Sequence, residues 1–277
     1  MVLLSPVLVS ALVALAQAAL PAPAVQPTAT AAPAGRVIAL PDDAIAYVPA
    51  SAGPRPPLLV LLHGAGHRQR EMLERFIPEA DTRGIVLLAP TSQGITWDTV
   101  ETAEEPPSRD SPLANAVVRR FSSSRDAGRV AAAIAALAKQ VPVDPDRTVL
   151  AGFSDGATFA LAMGMSRAYP FAAVIAWSPG IAIKVTNPAR GRRVFISHGR
   201  QDRILRFADT CGEIVPLVES EGAIVTFMPF DGDHEAPPAV KDGFLDAVFG
   251  AVPGAPPHPL PTTIEKCLRT PDDPMMG

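Results

Sequence analysis

Six short apolar runs, separated by helical or irregular segments, limit the folds open to this chain more than any other feature. Leu58-Leu59-Val60-Leu61-Leu62 carries no polar residue at alternate positions and is ended by His-Gly. That is how a strand covered on both faces reads. Ile85–Ala89, Thr148–Ala151, Ala172–Trp177, Val194–Ser197 and Ala223–Pro229 continue the series, after two shorter strand-like stretches at Val37–Leu40 and Ala44–Val48 around the turn Pro41-Asp42-Asp43. Between them lie helical spacing over Arg68–Arg83, an Ala-rich helix over Asp126–Gln140, an Ala- and Gly-rich run over Ala157–Gly164, and a helix over Ile204–Glu221; a last helix covers Pro237–Phe249. Ile181–Arg190 reads as a short irregular crossover. Such alternation predicts an α/β fold: a mostly parallel central sheet flanked by helices on both faces, with right-handed crossovers and no large cap domain. Chemistry in sheets of this kind sits at the carboxyl ends of the strands, so each functional residue should directly follow a strand.

Three residues meet that condition. Gly152-Phe153-Ser154-Asp155-Gly156 stands between the Thr148–Ala151 run and the helical run that follows, so Ser154 occupies a tight strand-to-helix turn. Such a turn strains the serine backbone and lifts its hydroxyl clear of the sheet, and the flanking glycines allow strand and helix to approach. Asp202 follows Val194–Ser197, and His234 follows Ala223–Pro229. A serine hydroxyl is a weak nucleophile until a base takes its proton. Imidazole titrates near neutrality and can take and return that proton, and a carboxylate orients the imidazole and stabilises its charged form. Asp231 and Asp233 compete for the acid role, but they adjoin His234 in sequence and reach its far ring nitrogen poorly. Leu62-His63-Gly64-Ala65-Gly66, after the first buried run, has the form of an oxyanion loop. The backbone N–H groups of Ala65 and Asp155 are its expected donors.

The remaining histidines read mainly as structural. His63 either braces the oxyanion loop or contributes to a substrate pocket, His198 buttresses the acid loop, His67 lies at the mouth or a solvated helix start, and His258 has no evident role. Trp97 either lines the pocket or anchors the long, polar Thr91–Ser124 excursion. The histidines are too scattered for a metal site, so neither metal nor cofactor is expected.

The chain has 277 residues, 48% hydrophobic and 19% charged, enough for one large globular domain. A net charge of −4 without a basic block gives no reason to expect nucleic acid or an anionic membrane as a partner. Val2–Leu20 is almost wholly apolar, and Ala16-Gln17-Ala18 has the small-x-small form of a cleavage site. The domain reading is therefore a signal peptide over 1–18, a flexible Pro/Ala-rich linker over 19–35, a catalytic domain over 36–250 and a Pro-rich tail over 251–277. A secreted or periplasmic protein follows, with no stable membrane insertion after cleavage; an uncleaved anchor is the alternative, since no Lys or Arg precedes the apolar run. Cys211 and Cys267 make either one disulfide or two unrelated thiols.

With Leu-His-Gly-Ala-Gly at 62–66, Gly-Phe-Ser-Asp-Gly-Ala at 152–157, Trp-Ser-Pro-Gly at 177–180, His-Gly-Arg-Gln-Asp at 198–202 and Asp-Gly-Asp-His at 231–234, the chain resembles the α/β-hydrolase superfamily. It is most similar to bacterial phospholipase/carboxylesterases and to feruloyl-esterase and polyhydroxybutyrate-depolymerase relatives. The resemblance runs from about Leu58 to Phe249; the 91–124 segment and the tail depart from it. It implies hydrolysis of a small-molecule or polymeric ester, with Ser154 as nucleophile, Asp202 as acid and His234 as base. A serine peptidase of the same fold and a non-catalytic binding protein are the alternatives.

Overall fold

The computed structural model describes residues 35–66, 68–101, 120–256, 258 and 260. The signal segment expected over 1–18, the linker expected over 19–35 except its last residue, His67, and 102–119 of the long excursion lie outside the described residues, as does the expected tail from 261 on with Cys267.

The chain enters through an antiparallel pair, β1 (Arg36–Ala39) and β2 (Ile45–Val48), and continues into β3 (Leu58–Leu62). Helices α1 (Gln69–Glu74) and α2 (Ile77–Arg83) lead to β4 (Val86–Ala89), after which come the short α3 (Asp98–Glu101), β5 (Arg120–Phe121) and α4 (Arg125–Ala138). Then follow β6 (Thr148–Phe153), α5 (Asp155–Met165), β7 (Ala173–Trp177), β8 (Lys184–Val185) and β9 (Arg193–Gly199). A continuous helical run, α6 (Phe207–Asp209), a π-helical turn (Thr210–Ile214) and α7 (Val215–Ser220), precedes β10 (Ile224–Phe230) and α8 (Pro238–Phe249).

The main sheet has the order β1-β2-β4-β3-β6-β7-β9-β10, parallel from β4 to β10 and antiparallel at β1 and β2; β5 and β8 form a separate parallel pair. Period-2 alternation sends successive strand residues into two cores. Leu58, Val60 and Leu62 of β3 pack with Val130 and Leu137 of α4 and with the buried residues of α5. Leu59 and Leu61 pack on the other face with Leu73 of α1, Ala80 of α2 and Phe244 of α8. Both faces are covered, as the uninterrupted apolar runs require.

Helical spacing over Arg68–Arg83 resolves into two helices. Pro78 lacks an N–H and sits in the first turn of α2, so the chain breaks at Phe76 and restarts. The helix expected over Ile204–Glu221 begins only at Phe207, because the Asp202 carboxylate holds the Ile204 and Leu205 amides at 2.9 and 2.8 Å in a turn. Pro216 removes an amide that an unbroken α-helix would need, and a π-turn with the Val215 N–H on the Thr210 carbonyl precedes it. The Ile181–Arg190 crossover holds β8 and an isolated bridge from Pro188 to Ser166. Cys211 is disulfide-bonded. His258, for which the sequence offered no role, accompanies Arg83 on the buried Asp246 carboxylate, at 3.0 and 2.7 Å.

From β3 the chain moves outward to β4, then returns across β3 to β6 on its other side. The crevice between the carboxyl ends of β3 and β6 is thus the point where the strand order reverses, where open α/β sheets take ligands.

Candidate active site

Ser154 stands at that crevice with φ 57° and ψ −123°, a conformation costing about 1–3 kcal/mol for a residue with a Cβ. The strain is held in place from both sides. The Ser154 N–H donates to Trp177 O at 2.9 Å, and its carbonyl accepts two amides from the first turn of α5, Ala157 at 2.9 Å and Thr158 at 3.1 Å. Its side chain makes no capping hydrogen bond. The glycines are required by approach distance. A Cβ on Gly152 would collide with the Gly156 carbonyl; one on Gly156 would overlap the Leu62 carbonyl and lie 2.5 Å from that of His63. Backbone cannot yield as a flexible side chain can, so Gly156→Ala should cost about 3 kcal/mol. Urea unfolding should show the loss, with the slope unchanged.

Asp202 and His234 meet directly. The carboxylate leaves the turn after β9, the imidazole leaves the loop after β10, and His234 Nδ1 lies 2.7 Å from Asp202 Oδ2. The carboxylate only accepts, so Nδ1 carries the proton and Nε2 is left as the basic nitrogen. The imidazole packs on Phe153, with ring centroids 4.8 Å apart, which brings it beside the Ser154 turn. No Ser154–His234 hydrogen bond occurs within 3.5 Å; such contacts commonly tighten only with substrate bound. Burial raises the Asp202 carboxyl's pKa, but hydrogen bonds from the Leu205 amide, His234 and the Ile204 amide outweigh it and leave the group below the usual carboxylate range.

The rival carboxylates are engaged elsewhere. Asp233 is chelated by the Arg203 guanidinium and amide, which hold it down to about 2, and Asp231 lies 3.5 Å from Arg200.

The oxyanion-type loop lies against Ser154: a Cβ on Gly64 would sit 3.3 Å from that of Ser154. Ala65 is exposed in the turn beyond it. Asp155 is the first residue of α5, so its N–H has no partner one turn back within the helix. The Asp155 side chain accepts from Thr96 Oγ1 at 2.7 Å, tying the segment after β4 to the serine turn.

His63 and Trp97 lie at the foot of the oxyanion-type loop rather than at the surface. Both are fully buried. Ser92 N–H donates to His63 Nε2 at 3.2 Å, so the His63 proton is on Nδ1, which donates to Gly64 O at 2.6 Å. Trp97 Nε1 donates to the His63 carbonyl at 2.8 Å, and its ring stacks on Phe159 at 4.8 Å. Both side chains brace the oxyanion-type loop. A cavity of about 570 Å³ lies to one side, bordered by Leu40, Gln69, Ser92 and Arg129, and neither Ser154 nor His234 borders it.

A residue to which the sequence assigned no role also contributes. Ser178, directly after β7, has φ 52°; its N–H donates to Ser197 O at 2.8 Å and its hydroxyl to Glu235 O at 3.4 Å. It thereby links the strand carrying the Asp202 turn to the His234 loop. Among the described residues no three His, Cys, Asp or Glu side chains gather as a metal site, and no helix is long and apolar enough to cross a membrane.

A family model described as "Alpha/beta hydrolase family" matches residues 59–276. Solved structures share the fold at low identity. A puromycin hydrolase is 18% identical, with a TM-score of 0.57 over 82% of this chain and 41% of that one. An acetyl xylan esterase from Aspergillus awamori is 14% identical, with a TM-score of 0.54 over 79% and 99%. LpqC, a poly(3-hydroxybutyrate) depolymerase from Bordetella parapertussis, is 18% identical, with a TM-score of 0.53 over 76% and 87%. No curated protein sequence matches the chain.

Proposed function

Because this chain belongs to the α/β-hydrolase family, we propose that it is a serine hydrolase that cleaves carboxylic esters through an acyl-enzyme. The observation that carries the reading is the 2.7 Å Asp202–His234 bond beside a strained, partly exposed serine. It leaves a proton-accepting nitrogen on the ring next to the residue that must lose a proton.

The steps balance. His234 Nε2 takes the Ser154 proton as Oγ bonds to the ester carbonyl carbon, and the oxyanion formed is held by the Ala65 and Asp155 amides. The tetrahedral intermediate expels the alkoxide, which takes the proton from His234 and departs as the alcohol. Water then repeats the sequence on the acyl-serine and releases the acid. Asp202 stays ionised throughout, fixing the imidazole and stabilising its cation. Each oxyanion donor contributes about 10²–10³ in turnover.

The described residues include no cap domain above Ser154, an arrangement that suits bulky or polymeric esters. An acetyl xylan esterase and a poly(3-hydroxybutyrate) depolymerase share the fold, which supports the ester class. The apolar Val2–Leu20 run supports export, with the mature chain beginning near Ala19.

Purified protein offered p-nitrophenyl esters of increasing chain length, a feruloyl ester, a hydroxybutyrate oligomer and peptide p-nitroanilides tests this reading. Turnover of esters and inertness toward the anilides is expected. Faster cleavage of the anilides would make the protein a peptidase.

A further inference from the structure

Two histidines, not one, meet Asp202 Oδ2. Behind the carboxylate, His198 at the end of β9 has a fully buried side chain, and its Nε2 lies 3.1 Å from Asp202 Oδ2 and 3.0 Å from Leu205 O. Its Nδ1 lies 2.7 Å from Thr210 Oγ1, and that hydroxyl lies 3.0 Å from Pro179 O.

Proton accounting decides what His198 does. Both partners of Nε2 only accept, so Nε2 holds a proton in every ionisation state compatible with this geometry. The opposite side is adaptable. When the ring is neutral, Thr210 donates to Nδ1; when it is charged, Nδ1 donates to Thr210 and the hydroxyl turns to Pro179. Burial holds the imidazole below its usual range, which favours the neutral form. In either form the same N–H lies between Leu205 O and Asp202 Oδ2.

We propose that His198 is a positioning residue for the acid. It shares Oδ2 with His234, prevents the carboxylate from rotating, and moderates the pull of Asp202 on the His234 imidazole. The proposal rests on the triad assignment made above. Two amides bond Oδ1, His234 bonds Oδ2, and the His198 N–H lies 3.1 Å from the same oxygen, so every side of the carboxylate meets a donor group. Withdrawing one donor from Oδ2 concentrates negative charge on the bond to His234 and favours the imidazolium.

Two features described above also meet this ring. The π-helical turn starts at Thr210, and this local change of pitch occurs where the hydroxyl meets His198 Nδ1. The Trp177-Ser178-Pro179-Gly180 segment supplies the carbonyl that ends the chain of hydrogen bonds. Around the ring, Phe207 packs edge-on at 6.0 Å and carries Arg200 on its ring, while the Arg203–Asp233 pair lies across the acid turn. Asp202 and His234 are thus the ionisable groups that couple directly to His198.

The test uses the full-length protein and compares His198→Phe, His198→Gln and Thr210→Val with wild type. It reads kcat/KM against pH, kcat on the plateau, thermal stability and fluorophosphonate labelling. His198→Phe should move the midpoint of the acid limb up by about one pH unit and lower plateau kcat about tenfold. The glutamine amide can donate to Oδ2, so His198→Gln should return the midpoint to within a few tenths of a unit of wild type. Thr210→Val leaves every atom that touches Asp202 in place but frees His198 Nδ1. It should move the midpoint in the same direction by less, and it keeps the question open to measurement if the phenylalanine variant does not fold. Variants that lose thermal stability yet keep the wild-type midpoint would overturn the positioning role. A wild-type protein that neither turns over esters nor takes the label at Ser154 would instead overturn the catalytic reading beneath it.

Discussion

Ser154→Ala should lower ester turnover by about 10⁶-fold while leaving the protein folded. The loss is large because nucleophile and base act as a unit. Without Oγ, the His234 nitrogen has no proton to accept, and only ground-state binding and the oxyanion donors remain. Stability should barely change, because the Ser154 side chain caps nothing in α5 and alanine inherits the same strained backbone. Ser154→Gly separates the two effects. At φ 57° and ψ −123° glycine carries no Cβ penalty, so this variant should be equally inactive but more stable by about 1 kcal/mol. A residue that lowers stability where it stands and whose loss ends turnover is what a catalytic origin of the strain requires. Thermal unfolding and p-nitrophenyl ester assays on the three proteins measure both effects. Residual turnover in Ser154→Ala above about one part in a thousand would assign the nucleophile elsewhere.

Asp202→Asn should lower kcat about 10⁴-fold, or about 5.5 kcal/mol. Oδ1 accepts two backbone amides, so the asparagine must keep its oxygen there and turn its NH₂ toward the former Oδ2 position. That group now faces His234 Nδ1, and two donors cannot share a hydrogen bond. The imidazole resolves the conflict by moving its proton to Nε2, the nitrogen that must accept from Ser154. His198 Nε2 meets the same NH₂ and cannot relocate its proton without abandoning the Leu205 carbonyl, so stability falls as well. The pH dependence has a definite sign. The folded carboxyl lies below its unfolded value of about 3.9, so its contribution is complete above that value and disappears as pH falls through the folded one. Urea unfolding of wild type and Asp202→Asn should therefore differ at neutral pH and converge in acid.

The fold was largely legible because its strongest signals are local. A strand buried on both faces must be apolar throughout, and Leu58–Leu62, Ala173–Trp177 and Val194–Ile196 are. Breaks within helical spacing were harder to see. Pro78 divides one run, and the late start at Phe207 depends on a side chain, that of Asp202, which is committed to a turn only by the tertiary structure.

At the site, chain order and strand ends identified residues that the fold does bring together, Asp202 with His234 and the Gly64 loop with Ser154. What spacing could not convey was the direction of a side chain. His63 and Trp97 stand near the crevice in sequence, yet both turn into the core, because the loop they hold has buried polar groups to satisfy. His198 stands at the end of β9, four residues before the acid, and the turn between them decides whether the two meet; its buttressing role was readable, its 3.1 Å approach to the carboxylate was not. Ser178 stood within a motif of the resemblance, but nothing in Trp-Ser-Pro-Gly announces a positive φ at the serine.

Fluorophosphonate labelling of the folded protein at neutral pH, followed by peptide mass mapping, tests the central claim most directly. The reagent phosphonylates a serine only where a base activates it and an oxyanion site receives the new charge. A single adduct on Ser154, absent in Ser154→Ala and formed far more slowly in Asp202→Asn, is the expected result. Folded protein with no adduct, or with its adduct on another residue, would contradict it.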